Sequence, residues 1–288
     1  MGHDPIRDRL VAQAESTKAI LATGCYRAAY GTVDLQPLLT ASLAGNRLVR
    51  PDDWPDILQQ AKELCDDGTP APIAVTAEST LAALARLAGT GLPGVAALNF
   101  ASARRPGGGW DTGARAQEET LARASGLIRG LDAAPEYYAA NRRHPHLFYT
   151  EHAIWTPAVP FFTNDDGSLL DVPYTAGIIT MPAPNIGAMN RPTEDDLHAL
   201  PGIWRQRIQY VLALAIVHRV QHLVLGAWGC GAFGNDPVLV AGRFKETLAD
   251  SEPWRKGFAS VTFAIFDQTR TRACLNAFTA AFAAPEAP

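Results

Sequence analysis

Cysteine is scarce in this sequence, long apolar runs are missing, and there is no excess of positive charge. The four cysteines, Cys25, Cys65, Cys230 and Cys274, stand singly with no CxxC pair. Neither a zinc site nor a disulfide framework is therefore signalled, and the thiols read as free. No run approaches the roughly 18 to 20 apolar residues of a membrane span. Met1 to Leu21 is amphipathic and carries charges, without the apolar centre of a signal peptide, so a cytoplasmic location is the default expectation. A formal charge of -4 provides no field for gripping a long polyanion along its length. Direct DNA binding and membrane association are not expected, a monomer is, and any anionic ligand must be held locally. The GxxxxGK[ST] phosphate loop and the Rossmann glycine fingerprint are both missing, and no internal repeat or low-complexity tract is found.

What is present suits a large buried core. Apolar residues make up 47% of the 288 and charged residues 19%, a balance that argues against disorder. The first 70 residues read as short helical pieces, beginning with Leu10, Val11, Ala14, Thr17 and Leu21 near one face before Gly24. From Pro72 the texture changes to short apolar runs at Pro72–Thr76, Gly94–Phe100, Gly177–Met181, His222–Trp228 and Val261–Phe266. Helical patterns separate them at Ser79–Leu87, Ala114–Ser125, Glu194–Arg219, Pro237–Leu248 and Thr271–Phe282. Such strands joined by helices predict an α/β fold, a three-layer α/β/α sandwich around a mainly parallel or mixed central sheet. The expected organisation is a helical amino-terminal extension, residues 1–70, packed on a core of residues 71–288. The stretch "TPAVPFFTNDDGSLLDVP", punctuated by Pro and Asp, reads as a surface hairpin.

Open α/β sheets bind ligands at the carboxyl ends of their strands. Two glycine-rich loops fall there: "ASARRPGGG" follows "GVAALNF", and "GCGAFGND" follows "HLVLGAW". Each precedes a helix. Glycine clusters often mark only turns, but unpaired N–H groups before helix N-termini also form concave nests for phosphate oxygens. Two of them suit a diphosphate.

Gln117, Glu118 and Glu119 follow Gly107, Gly108 and Gly109 after seven residues and open the next helix. Adjacent helical residues diverge by about 100°, so the two carboxylates take different directions. Acids in a first helical turn can simply complement the macrodipole. Beside a diphosphate cradle they also suit the breaking of a glycosidic bond, in which a carboxyl donates a proton to the leaving oxygen and then activates water. Burial and a neighbouring carboxylate raise a carboxyl pKa towards the range of an acid near neutrality.

The combination of GGG, seven residues and QEE resembles the signature of bacterial-type poly(ADP-ribose) glycohydrolases, enzymes of macrodomain fold. "GAWGCGAFGND" resembles that family's other diphosphate loop, "LNFASA" the segment leading into the first, and the amino-terminal extension fits its architecture. The resemblance implies hydrolysis of ribose–ribose O-glycosidic bonds in poly(ADP-ribose), with ADP-ribose as product and ADP-ribosylated proteins as partners. No cofactor and no metal are implied. Glu119 would be the general acid/base, and Glu118 would hold ribose hydroxyls. Gly107, Gly108 and Gly109 would form the backbone loop beside the distal ribose and diphosphate, Asn99 would hydrogen-bond that ribose, and Gln117 would join the ADP-ribose-binding residues. Gly229, Cys230, Gly231, Ala232 and Phe233 would wrap the diphosphate, the Phe233 ring steering the ribose towards Glu119. Phe266 and Asp267, with "TAEST", would lie at the adenine end.

Alternatives stay open at this stage. Asn99 suits a turn cap, Phe266 suits the core, and Arg104 and Arg105 suit either phosphate or solvent. Cys230 lacks a nucleophile elbow. His152, His218 and His222 are separately placed, so they do not make a metal site. A domain that reads ADP-ribose without cutting it shares the glycine loops but has no need of QEE in that position, whereas a hydrolase of mono-ADP-ribosyl or O-acetyl-ADP-ribose linkages would need a cleft that admits a side chain or acyl group. A compact crevice without a basic channel favours attack at chain ends.

Overall fold

The computed structural model describes residues 4–65, 69–189, 191–250 and 253–283. Parts of the two expected segments, residues 1–3, 66–68, 190, 251–252 and 284–288, lie outside the described residues. The chain runs through α1 (Pro5–Thr23), β1 (Cys25–Ala28), β2 (Gly31–Asp34), α2 (Gln36–Ala44), β3 (Arg47–Val49), α3 (Trp54–Glu63), β4 (Ile73–Thr76), α4 (Thr80–Ala88) and β5 (Val95–Phe100). It continues with α5 (Gln117–Ala124), α6 (Leu127–Asp132), α7 (Pro135–Arg143), β6 (Ala153–Thr163), β7 (Leu169–Met181), α8 (Glu194–Val217), β8 (His222–Leu225), α9 (Pro237–Lys245), β9 (Ser260–Ala264) and α10 (Ala273–Phe282).

Helix ends follow local chemistry. Asp4 Oδ1 accepts the Ile6 and Arg7 N–H groups at 3.1 and 3.3 Å, satisfying donors that α1 leaves open. Gly24 then stops α1 at φ 71°. Ser79 Oγ caps α4 through Ala82 N at 2.9 Å. At α8, Thr193 and Asp196 cap each other reciprocally, at 2.8 and 3.1 Å.

Among the described residues a seven-stranded sheet has the order β3-β6-β7-β5-β8-β9-β4. β5 pairs in parallel with β7 and β8, and β9 in parallel with β8 and β4, whereas β6 runs antiparallel to both its neighbours. The sheet is mixed, as expected. Its strands alternate between two cores. Ala96 and Leu98 join the core containing Trp204, Ile208 and Phe263, while Val95 and Ala97 join the one containing Leu84, Leu121 and Leu127. Helices α3, α8, α9 and α10 cover the first face, and α1, α2, α4, α5 and α6 the second.

Two expectations need correction. The first 70 residues are not helical throughout: β1 and β2 form an antiparallel hairpin, and β3 pairs with β6 as the edge strand of the main sheet. The segment "TPAVPFFTNDDGSLLDVP" is a hairpin, but not a surface one. Its first strand, β6, is largely buried inside the sheet, whereas the turn and the first residues of β7, such as Asp171 and Val172, reach solvent. Prolines normally exclude a central strand. Here the β6–β7 register shifts between Thr156 and Val159, and this bulge accommodates Pro157.

Because β4, β5, β8 and β9 all point the same way, the segments that follow them gather at one edge of the sheet. β5 and β8 are direct neighbours. Their two glycine-rich loops therefore lie side by side.

Candidate active site

At that edge a cavity of about 730 Å³ opens between the β5–α5 and β8–α9 loops. Its wall includes Gln117, Glu118 and Glu119 on one side, Gly229 to Phe233 on another, and Ser79, Thr80, Phe266 and Asp267 at a further margin. Residues distant in sequence thus converge on one space, and the expected nucleotide end meets the expected diphosphate loop.

The carboxylates are not solvated helix caps. Glu118 is 2% exposed and Glu119 9% exposed. Glu118 Oε2 accepts the Ser102 N–H at 2.7 Å, and its Oε1 accepts Asn99 Nδ2 at 3.2 Å. Burial pushes the Glu118 carboxyl up to about 8, helped by the neighbouring Glu119 and opposed by these donors and the Gly107 N–H. Glu119 Oε1 accepts the Gly109 N–H at 3.0 Å. Its Oε2 is buried and has no hydrogen-bond partner among the described residues. A buried carboxylate oxygen without a partner is costly unless a ligand uses it.

The first glycine loop sits behind these acids. Gly108 has φ +57°, and a Cβ there would meet Glu119 Oε1, and Glu118 Oε2 at 3.2 Å. Only a bare residue lets the backbone approach so closely. Gly107, Gly108 and Gly109, expected beside the distal ribose and diphosphate, lie directly behind the carboxylates, where Gly109 N donates to Glu119 and Gly107 N to Glu118. Asn99, expected at the ribose, is fully buried at 0% exposure and bridges Glu118 to Thr180 Oγ1, 3.3 Å away. Gln117 lines the cavity, yet its amide is engaged by the protein: Oε1 accepts Phe100 N at 2.9 Å and Nε2 donates to Leu98 O at 2.8 Å. It stitches the start of α5 to the end of β5.

The second loop is different. Among the described residues the N–H groups of Gly231, Ala232 and Phe233 donate to no protein acceptor, and these residues line the cavity beside the start of α9. Three consecutive free donors make a nest for an anion. Gly229 at φ +75° lies close to Ala183 Cβ and Asn235 Nδ2, where a Cβ would not fit. The Phe233 ring stands 6.2 Å from that of Tyr149. Phe266 is 62% exposed at the cavity margin, so it is not a core residue. Asp267 caps α10, accepting the Cys274 N–H at 2.9 Å.

Sequence reasoning missed several supports. Ser102 and Thr180 complete the surroundings of Glu118 and Asn99. Buried Arg123 donates from Nη1 to Trp110 O at 3.1 Å and Ala114 O at 2.8 Å, tying the glycine loop to α5. Asn235 holds the second loop from beneath. An Asn ending a Gly-rich segment was the visible signal for the last of these. Arg105 pairs with Asp111 at 2.6 Å and is exposed. The histidines have separate partners: His218 stacks on Trp155, and His222 Nδ1 lies 2.8 Å from Ser260 Oγ.

Comparison with other proteins agrees with this geometry. A family model described as "Microbial-type PARG, catalytic domain", where PARG is poly(ADP-ribose) glycohydrolase, matches residues 14–164. The chain belongs to the microbial-type PARG family. Solved members are similar along nearly its whole length. The PARG of Thermomonospora curvata is 42% identical with a TM-score of 0.91, covering 96% of this chain and 100% of that one. The same enzyme bound to the inhibitor ADP-HPD gives 41% identity and a TM-score of 0.88 over the same shares. The PARG of Deinococcus radiodurans in complex with ADP-ribose is 40% identical with a TM-score of 0.78, covering 84% of this chain and 96% of that one. No curated protein sequence matches the chain. As in the other PARG structures it resembles, a mixed sheet flanked by helices carries the chain. Among the described residues no helix is long and apolar enough to cross a membrane.

Proposed function

We propose that the protein hydrolyses the ribose–ribose O-glycosidic bonds of poly(ADP-ribose) and releases ADP-ribose, as a macrodomain-fold enzyme acting mainly at chain ends. The observation that carries this reading is the buried Glu119 carboxyl group on the cavity wall, one oxygen tethered by Gly109 N and the other without a partner among the described residues. An ADP-ribose reader has no use for such a group. A terminal ADP-ribose unit lies with its diphosphate on the free N–H groups of Gly231 to Phe233, its adenine towards Phe266, and its distal ribose between Phe233 and the two acids. Glu119 then protonates the departing 2′-oxygen. An oxocarbenium-like sugar forms, and the resulting carboxylate takes a proton from the attacking water. Glu118, held by Asn99 and Ser102, presents its remaining acceptor sites to ribose hydroxyls.

No step requires a metal ion, and residues 1–70 act as an extension that buttresses α5: Thr17 Oγ1 on α1 donates to Arg123 O at 2.6 Å. The deciding experiment incubates the protein with labelled poly(ADP-ribose) and resolves the products over time. Mono-ADP-ribose accumulating from the outset, unaffected by a chelator, is expected. Binding without cleavage would reduce the protein to a reader, and early release of oligomers would overturn the chain-end preference.

A further inference from the structure

The cavity wall carries two thiols that the hydrolysis does not use. Cys230 follows Gly229 in the β8–α9 loop, and Cys274 is the second residue of α10; both line the cavity and both are partly exposed. The remaining cysteines, Cys25 and Cys65, are not part of that wall. Between the two positions lie α9 and β9, so the fold, not local sequence, brings both thiols to one cavity wall. The Cys230 thiol interacts with the Cys274 sulfur and also points to Trp228 O at 3.6 Å. Hydrogen bonding from Cys230 holds the Cys274 thiol below its ordinary value, against burial and the Asp267 charge. The same contact, reinforced by burial, pushes Cys230 up. Cys274 also sits in the first turn of a ten-residue helix, where the dipole favours an anion. Its place at a helix start makes Cys274 the readier nucleophile and leaves Cys230 as the resolving partner.

We propose that Cys230 and Cys274 form an oxidative modification site, in which a peroxide joins them as a disulfide that ties the diphosphate loop to α10 and slows turnover. The Cys274 thiolate attacks one peroxide oxygen, the O–O bond breaks, and hydroxide leaves, giving a sulfenic acid. The Cys230 sulfur, losing its proton, then attacks the sulfenyl sulfur; the S–O bond breaks, and the departing hydroxide takes up that proton as water. Two thiols lose two electrons in total, and one peroxide is reduced to two waters. An S–S bond of about 2.05 Å is much shorter than any thiol–thiol contact, so its formation draws the Cys230 backbone, and with it the Gly231 and Ala232 donors, out of register with a diphosphate. Displacement of a binding group by about 1 Å can cost a large factor in rate. The consequence for turnover rests on the hydrolase reading; the cross-link itself does not.

The test treats the full chain with hydrogen peroxide, quenches with an alkylating agent, and maps peptides. The expected result is a Cys230–Cys274 linked peptide, a fall of about tenfold or more in both ADP-ribose affinity and polymer turnover, and recovery with dithiothreitol. In Cys274→Ser the ratio of oxidised to untreated activity should stay near one, read within that variant. The inference fails if both thiols remain alkylatable after peroxide, if the linked peptide forms while ADP-ribose affinity and turnover hold, or if Cys274→Ser is as peroxide-sensitive as the parent. Reduced protein that binds ADP-ribose yet cuts no polymer would instead sink the hydrolase reading, leaving the linked peptide and the affinity change to judge the thiol site.

Discussion

Gly108 and Glu119 depend on each other. The left-handed turn at Gly108 brings the loop backbone against the Glu119 carboxylate, so that Gly109 N holds Oε1 and Oε2 is left for a ligand. Replacing the acid by its amide keeps the shape and removes the transferable proton. Glu119→Gln should therefore lower kcat by about 10² to 10⁴ while the ADP-ribose Kd, measured by calorimetry, stays within a few-fold; a variant retaining more than about a tenth of the parent kcat would remove Glu119 from the acid/base role. Gly108→Ala adds a methyl group where the carboxylate oxygen already lies, and requires a non-glycine residue at positive φ, which costs about 1 to 2 kcal/mol. Its turnover should drop at least as steeply as Tm, whereas ADP-ribose affinity changes little, because the diphosphate nest is on the other loop. Equal losses in affinity and turnover would return the glycines to the phosphate. The adjacency of the two acids and the glycines before them is readable in the sequence. That the loop folds back under the acids is not, because it depends on the handedness of turns at Gly107 and Gly108. Asn99 shows the same limit: its burial and its bond to Glu118 depend on the packing of α5 over β5, which no local pattern reveals.

The β8–α9 loop makes few bonds of its own across its tip and is pinned from below. Asn235 Nδ2 donates to Pro184 O at 2.7 Å and Gly229 O at 2.9 Å, and Oδ1 accepts Trp204 Nε1 on α8 at 3.2 Å. One buried amide thus links the loop, the segment after β7 and a helix. Asn235→Ala should destabilise the protein by about 1 to 3 kcal/mol, the cost of leaving buried polar groups unpaired, and weaken ADP-ribose binding about tenfold as the nest loosens. Thermal unfolding with and without ADP-ribose checks both; unchanged ligand-induced stabilisation would show that the loop keeps its form without Asn235. Elements built from apolar runs, β4, β5, β8 and β9, are legible in the sequence, as are the helices after them, because period and length mark them. β6 is not: Pro157 and Pro160 mask a strand that only its bulge makes possible. Helix α6 escaped notice for another reason, since its buried residues answer to contacts with β6 and α2 more than to a periodic stripe.

Across the whole molecule two kinds of buried group tilt stability in opposite directions with pH. Burial against Trp155, together with the nearby Arg47, brings His218 down to about 4 from an ordinary 6.5, and burial lowers His152 as well. The unfolded chain then binds more protons than the folded one between about 4 and 6.5, so this contribution rises with pH and is lost as acid is added. Glu118 acts the other way. Its folded value near 8 lies above the ordinary 4.5, so the folded state binds the extra proton between those limits and stability falls as pH rises through them. From about 4.5 to 6.5 the two slopes oppose each other; above 6.5 the histidine slope has ended and the Glu118 slope remains. Glu118→Gln fixes the neutral form, with nearly the same shape, at every pH. The variant's stability relative to the parent should therefore climb from pH 5 to pH 8, by up to about 1.4 kcal/mol per unit, when urea unfolding midpoints are compared across that range. A difference that stays flat would mean that Ser102 and Asn99 hold Glu118 ionised throughout. Burial would then have been outweighed by donors already in place, making the second acid a fixed negative neighbour of Glu119 rather than a neutral one.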